Sequence, residues 1–253
     1  MTNLISVSGR IGSGKDTVGK IIQAYRDFPL ASNESILRIM VDGIDTPTAK
    51  IKKWADKLKD IVCILINCIR EQLEDSDFKN KELGEEWWYW QLERDGEYST
   101  ILLPYYESTG TENFKLVKLT PRLLLQLLGT ECGRNIIHPN IWVNSLMSEY
   151  LMKSHSGPTR DLKFPNWIIT DTRFPNELQA VKQRNGLTIR VIRLDVITNS
   201  ITGKTFPVKV HRKLHESETA LDNATFDYNI VNNSTIEELI KRVKEILITE
   251  KII

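Results

Sequence analysis

The run Leu4-Ile5-Ser6-Val7-Ser8-Gly9-Arg10-Ile11-Gly12-Ser13-Gly14-Lys15-Asp16-Thr17 sets the frame for the whole chain. Residues 3–8 read as a buried strand. Residues 15–26 read as a helix, because Val18, Ile21, Ile22 and Tyr25 fall on one stripe. Between them lies a complete G-x-x-x-x-G-K pattern, from Gly9 to Lys15. Strand, glycine loop and helix in this order form a phosphate-binding loop. The glycines let successive backbone N–H groups turn inward around a phosphate, and the helix N-terminus adds partial positive charge. Lys15 can reach the β- and γ-phosphates as a point charge. A nucleoside triphosphate is the ligand such a loop implies.

One residue departs from the motif. Asp16 stands where a serine or threonine hydroxyl normally meets magnesium. A carboxylate is also a hard oxygen ligand, so Asp16 can bind the metal directly or through water. It can equally accept a proton from, or orient, an acceptor hydroxyl, or simply favour the helix dipole from the first turn. Thr17 remains available to an α-phosphate.

Outward from the loop, Ser35–Val41 reads as a second strand and Lys50–Arg70 as a long helix carrying Ile51, Trp54, Ala55, Leu58, Ile61, Val62 and Leu65. Residues 74–118 are rich in acids, aromatics and turn formers, and read as an insertion. Thr120 is a good N-cap and Pro121 a good first helical residue, which predicts a helix over 121–133. Another begins at Pro139 or Asn140 and runs to about Lys153, followed by a loop over 154–165. Trp167–Thr170 reads as a strand ending at Asp171, Asn176–Arg184 as a helix stopped by Asn185-Gly186, and Leu187–Leu194 as a strand. Tyr228–Val231 is a short strand, and Ser234 with Glu237 predicts a capping box for the last helix. Strands alternating with helices imply an α/β fold of three layers, a mostly parallel sheet with helices on both faces. Ligands of such sheets sit at the carboxyl ends of the strands. The 9–17 loop, Asp171-Thr172-Arg173 and Arg193 all fall there.

Composition narrows the partners. With 34 Lys+Arg against 33 Asp+Glu the net charge is +1, and charged ligands must be met by local clusters, so no nucleic-acid platform is expected. Cys63, Cys68 and Cys132 show no Cys-x-x-Cys spacing and read as buried thiols of a reducing cytoplasm. The longest apolar run, Ile61–Ile69, is interrupted by Asn67 and far short of the ~20 residues a membrane span needs. A cytoplasmic protein without membrane contact is the expectation. No guanine-reading N-K-x-D segment is present, and motors or helicases usually need a longer chain. The remaining common use of such a loop is a small-molecule kinase. Its acceptor cations would come from Lys57, Lys59, Arg122, Arg134, Arg173, Arg193, Arg212 and Lys213.

Four segments carry a resemblance. They are Ser8-Gly9-Arg10-Ile11-Gly12-Ser13-Gly14-Lys15-Asp16-Thr17; Trp54-Ala55-Asp56-Lys57-Leu58-Lys59-Asp60; Arg122 to Thr130 with Gln126 and Gly129, followed by Gly133-Arg134 and Ile141-Trp142-Val143; and Thr170-Asp171-Thr172-Arg173-Phe174-Pro175-Asn176-Glu177, followed by His215 to Glu218 and Asp227 to Asn232. In order and approximate spacing the chain resembles the bacteriophage deoxynucleoside monophosphate kinases, members of the P-loop kinase superfamily. Residues 74–118 and 196–213 match weakly.

The resemblance implies a single P-loop kinase domain over 1–253, like that of nucleoside monophosphate kinases. Residues 74–118 would be a substrate-binding insertion and 195–218 a lid. It implies phosphoryl transfer from ATP to a deoxynucleoside monophosphate, with Mg²⁺; the competing readings are a P-loop kinase for another small phosphorylated or alcohol acceptor, such as a coenzyme A precursor or phosphomevalonate, and a non-kinase ATP-binding switch. Lys15, Asp16, Asp171 and Arg173 would be catalytic, with Asp16 and Asp171 at the metal. Arg10, Gly12, Ser13, Gly14, Lys15, Asp16, Thr17 and Arg193 would hold ATP, Arg193 from the lid hinge. Lys59, Arg122, Gln126, Gly129, Thr130, Arg134, Trp142 and Glu177 would line the acceptor site; for Trp142, a place in the core is the competing reading. His215 and Glu218 would anchor the lid. A homodimer is suggested by analogy, and small nucleotides are the expected partners.

Overall fold

A computed structural model describes residues 2–94, 97–106, 113–150, 164–193, 196–198, 205–207 and 216–253. Most of the expected lid, with Arg212, Lys213 and His215, lies outside the described residues, as does most of the 154–165 loop. In chain order the elements are β1 (Leu4–Ser8), α1 (Lys15–Asp27), α2 (Asn33–Asp42), β2 (Ala49–Lys52), α3 (Asp56–Ile66) and α4 (Ser76–Asn80). Next come β3 (Trp88–Arg94), β4 (Glu97–Pro104), β5 (Phe114–Lys118), α5 (Pro121–Gln126), a π-helical stretch Leu127–Ile137, and α6 (Ile141–Tyr150). The rest are β6 (Asn166–Thr172), α7 (Pro175–Lys182), β7 (Leu187–Ile192), β8 (Val196–Thr198), β9 (Thr205–Pro207), α8 (Glu216–Thr219), β10 (Tyr228–Val231) and α9 (Ile236–Thr249). The chain divides into two compact units, one of Met1–Trp54 with Val143–Ile253, the other of Ala55–Trp142.

The first unit is built on a parallel sheet in the order β10-β7-β1-β6-β2. Period-two alternation assigns its faces. Ile5, Val7, Ile168, Ile189 and Val191 pack with Val18, Ile21, Ile22 and Tyr25 of α1, Ile36 of α2 and Ile240 and Val243 of α9. Leu4, Trp167 and Ile169 point the other way, onto Val143, Leu146, Met147 and Tyr150 of α6 and Ala180 and Val181 of α7. Both faces are covered, so β1 and β6 are apolar almost without a break, as parallel strands should be. The expected three-layer α/β fold is present.

Three expectations are corrected. Ser35–Val41 is not a strand but most of α2. Ser32 Oγ accepts from the Ser35 amide at 3.2 Å, Gly43 closes the other end, and only Ile36 of the run is fully buried. Local capping outweighs a β-branched run that has no strand to pair with. The second strand is instead Ala49–Lys52, which pairs in parallel with β6 from Ala49↔Asn166 to Lys52↔Ile169. The long helix expected over 50–70 therefore begins at Asp56, and Trp54 leaves it to enter the α6–α7 core. The last helix is capped one residue later than expected: Thr235, not Ser234, accepts from the Glu238 amide.

The second unit contains an antiparallel sheet in the order β4-β3-β5, formed by Trp88–Arg94, Glu97–Pro104 and Phe114–Lys118 of the expected insertion. Thr120 caps α5 as expected, its Oγ1 accepting from Leu123 N at 3.2 Å. The helix runs past 133, continuing as the π-helical stretch Leu127–Ile137. Among the described residues, no helix is long and apolar enough to cross a membrane.

Candidate active site

In the first unit, β1 delivers the chain into the glycine loop and α1 starts at Lys15. Gly14 sits at φ 94°, a left-handed conformation costly for other residues, and a Cβ there would strike the Asn232 side-chain amide. That amide donates to Ser13 O at 2.8 Å. Gly19 allows α1 to lie against β6, where a Cβ would meet the Thr170 methyl. The loop is tied from outside by Arg10 Nη2 to Asp222 Oδ2 at 2.7 Å and by Arg193 Nη1 to Gly12 O at 3.4 Å. Ser13 Oγ is buried without a hydrogen-bond partner among the described residues. An orphaned hydroxyl among glycine amides at the head of a 13-residue helix suits an oxyanion. These residues therefore fit the polyphosphate of a nucleotide.

Lys15 is only 8% exposed. Burial pushes its ammonium below the ordinary lysine value, and the nearby Arg173 adds to this. Asp16, Glu218 and Asp171 pull the other way. Asp16 is more exposed. Its Oδ1 accepts from Thr170 Oγ1 at 2.9 Å and lies 3.8 Å from Lys53 Nζ, while Oδ2 lies 3.9 Å from Lys15 Nζ. Asp171 Oδ1 accepts from the Trp54 amide at 2.7 Å. Beside it, Thr172 Oγ1 accepts from Trp54 Nε1 at 2.9 Å and pairs with Ser6 Oγ at 2.7 Å, so the end of β6 is held by hydrogen bonds to two other segments. Arg173 Nη1 donates to Glu218 Oε1 at 2.8 Å, and Glu218 Oε2 accepts from Ile11 N of the loop at 2.9 Å. Lys15, Asp16, Asp171 and Arg173 thus lie near one another. Among the described residues no group of three or more His, Cys, Asp and Glu could hold a metal by itself. Two carboxylates completed by phosphate oxygens and water suit magnesium nonetheless.

Glu177, expected at the acceptor, is 2% exposed, and its Oε2 accepts from the amides of Arg173 and Phe174 at 2.7 and 3.1 Å. It closes the N-terminus of α7 and fixes the backbone that carries Arg173.

In the second unit, Lys59 Nζ lies 2.5 Å from Glu74 Oε1, and Arg122 Nε donates to Asn80 Oδ1 at 2.7 Å. Lys79 belongs with them: burial lowers its ammonium, and the positive charges of Lys59 and Arg122 lower it further. Gln126, Thr130 and Arg134 are half-buried along the helix, and Gly129 is buried against Leu58. Trp142 is 6% exposed. Its Nε1 donates to Gly129 O at 2.8 Å, and its ring packs on Gly133. The geometry of Trp142 is that of a core side chain. Lys57 is exposed.

A family model described as deoxynucleotide monophosphate kinase matches residues 105–243, more than half of the chain. The chain belongs to this family. It is 22% identical over 257 residues to the deoxynucleoside-5′-monophosphate kinase of Escherichia phage T5, covering 92% of this chain and 90% of that protein. To the deoxynucleotide monophosphate kinase of Enterobacteria phage T4 it is 26% identical over 153 residues, 60% of this chain and 56% of the relative. A putative deoxynucleotide monophosphate kinase of Acanthamoeba polyphaga mimivirus is 28% identical over 149 residues.

Sequence reading leaves out Lys53, beside Asp16 in the first unit, and Lys79, beside Lys59 and Arg122 in the second. Lys53 becomes visible only when Ala49–Lys52 is placed as a strand beside β6, which brings it to the carboxyl end of the sheet. Lys79 has a weaker signal, a single lysine in a five-residue helix.

Proposed function

We propose that this kinase transfers the γ-phosphoryl group of ATP, as its magnesium complex, to a deoxynucleoside 5′-monophosphate, giving ADP and the diphosphate. The observation that carries the reading is a buried, pKa-lowered Lys15 beside the orphaned Ser13 hydroxyl, in a chain of this family. Phosphoryl transfer asks little covalent chemistry of a protein and much positioning and charge neutralisation. Lys15 meets the β- and γ-phosphates, and contact with them returns its ammonium toward the ordinary value. Thr17 and the loop amides take the remaining phosphate oxygens. Arg173, oriented by Glu218, faces the charge that develops on the transferring group. Asp171, pinned by the Trp54 amide, and Asp16 would hold magnesium, mainly through its water shell; bound there it would neutralise β- and γ-oxygens. Lys59 and Arg122, with Lys79, hold the acceptor phosphate, and Gln126, Thr130 and Arg134 offer polar contacts to the nucleoside. A cytoplasmic location is the reading that accords with nucleotide substrates.

Coupled ADP-release assays over the deoxynucleoside monophosphates test this directly; no turnover with any of them would sink it. Arg122→Ala and Lys59→Ala are expected to raise KM for the monophosphate by roughly tenfold or more, the size of a lost charge-assisted hydrogen bond. KM for ATP should stay close to that of the wild type. Asp16→Ala is expected to lower kcat by about 10²-fold and to shift the magnesium concentration needed for half-maximal rate. An unchanged magnesium profile would remove Asp16 from the metal's surroundings.

A further inference from the structure

Helix α3 ends at Ile66, and the chain leaves it through Asn67, which sits at φ 50°, ψ 52° in the left-handed region. The Cys68 amide then donates back to Cys63 O at 3.1 Å. A left-handed residue followed by a backbone bond spanning six residues is the Schellman way of stopping a helix. Its geometry brings together the side chains at the two ends of that bond, and here both are cysteines. Cys63 and Cys68 are half-buried, and both pack against the cluster that includes Leu58, Val62 and Leu73. Their thiols share a hydrogen bond.

Reach and protonation decide what this pair can do. From Cys63 Cα to its carbonyl oxygen is about 2.4 Å, and from Cys68 N to its Cα about 1.5 Å. With an N···O contact of 3.1 Å between them, the α-carbons lie less than about 7 Å apart, within the range that a disulfide bridges without backbone movement. Burial pushes the Cys68 thiol up to about 11, and its hydrogen bond to Cys63 and the charge of Cys63 push the same way. Cys68 therefore keeps its proton at neutral pH and donates it toward the Cys63 sulfur. Such a thiol is a weak nucleophile on its own. What the pair has is proximity, which raises the effective concentration of one sulfur at the other by orders of magnitude.

We propose that Cys63 and Cys68 form a redox-modification site, a dithiol that hydrogen peroxide converts into an intramolecular disulfide across the C-terminal turn of α3. The Cys63 sulfur attacks one peroxide oxygen, the O–O bond breaks, water leaves and Cys63 becomes a sulfenic acid. The Cys68 sulfur then attacks the Cys63 sulfur and the S–O bond breaks. The departing hydroxide takes up the Cys68 proton as a second water. The two thiols together give up two electrons and two protons, and one peroxide becomes two waters. In a reducing cytoplasm the bond is undone by exchange with small thiols, so it is transient, as cytosolic disulfides usually are. It closes a turn whose backbone already has the required shape, so it stabilises the folded chain. Cys132 stands apart, in the Leu127–Ile137 stretch. The inference does not rest on the kinase reading, although α3 also carries Lys59.

The test treats the folded full chain with hydrogen peroxide and then counts thiols and weighs peptides. Titratable thiols should fall from the three of the reduced protein to one. Trypsin releases Asp60–Arg70 as one peptide that holds Cys63 and Cys68 but not Cys132, and its mass should drop by two hydrogens. Dithiothreitol should restore both readings. Cys132→Ser should form the same bond. Cys68→Ser should stop at the sulfenic acid of Cys63, which dimedone traps. The oxidised wild type should melt above the reduced protein, and reduction should remove the gain. Three thiols surviving an excess of peroxide overturn the inference. So does oxidation of Cys63 to a sulfinic acid with Cys68 still free, or a disulfide that uses Cys132 or joins two chains. An oxidised protein that melts below the reduced one overturns the claim that the turn is preformed for the bond. None of these readouts is an activity, so their failure leaves the kinase reading untouched.

Discussion

Lys15→Met lowers kcat on the order of 10³-fold, and at the same time raises the melting temperature of the ligand-free protein. The two effects have one cause. Lys15 is buried at the head of α1, and burial holds its pKa below the ordinary lysine value despite the help of Asp16. Without a phosphate, its positive charge is a strain on the fold. The sign follows from proton counting. Between the lowered folded pKa and the unfolded value of 10.5, the unfolded chain binds more protons than the native one, so native stability rises with pH across that window. Below the window the penalty is present in full, and neutral pH lies on that side. Methionine has a similar length and no charge, so it removes the penalty. Thermal melts at pH 7 should place the ligand-free variant above wild type, and the gap should narrow as pH approaches 10.5. ATP should then raise the melting temperature of wild type far more than that of the variant. Turnover within about tenfold of wild type would show that Lys15 does not act on the transferring group.

Trp54→Ala is expected to cost about 3–5 kcal/mol of stability, the range for truncating a buried large aromatic. Trp54 is 2% exposed and packs with Val143, Leu146, Trp167 and Ile169. Its Nε1 also serves the buried Thr172 hydroxyl, which pairs with Ser6. Truncation therefore opens a cavity and removes a donor at the end of β6. Trp54→Phe separates the two: it keeps most of the packing and loses the N–H, at roughly 1–3 kcal/mol. Denaturant unfolding of the three proteins gives both numbers. A Trp54→Ala protein within about 1 kcal/mol of wild type would mean that the cluster collapses freely around the gap.

The same residue shows where sequence reading stops. Trp54 follows Ile51 and precedes Leu58 at helical spacing, so a single long helix from Lys50 accounts for all three. A parallel strand of four residues leaves little periodicity of its own, and Ala49–Lys52 is defined by its partner β6, more than a hundred residues away. Lys53 was hidden for the same reason. Ser35–Val41 erred in the opposite sense: its β-branched side chains suggested a strand, while Ser32 and Gly43 supplied helix caps on either side. Glu177 was legible as a charged residue after Asp171-Thr172-Arg173, but that it is buried and accepts from the Arg173 and Phe174 amides shows only in the tertiary structure.

The amino-acid sequence by itself determined the phosphate-binding loop, the helix after it and the three-layer α/β class. These rest on local requirements: glycines where a side chain will not fit, a lysine at a helix N-terminus, capping residues at fixed spacing, and apolar runs long enough to be strands buried on both faces. Tertiary structure decided the rest. It chose β2 as the strand beside β6, turned Trp54 inward, grouped Lys79 with Lys59 and Arg122, and set Lys53 against Asp16. Each of these depends on pairing or charge between residues distant in the chain, whose encounter no local pattern encodes. The loop that opens the sequence was legible from its glycines and Lys15; the second cation that stands beside it became visible only when the sheet was assembled.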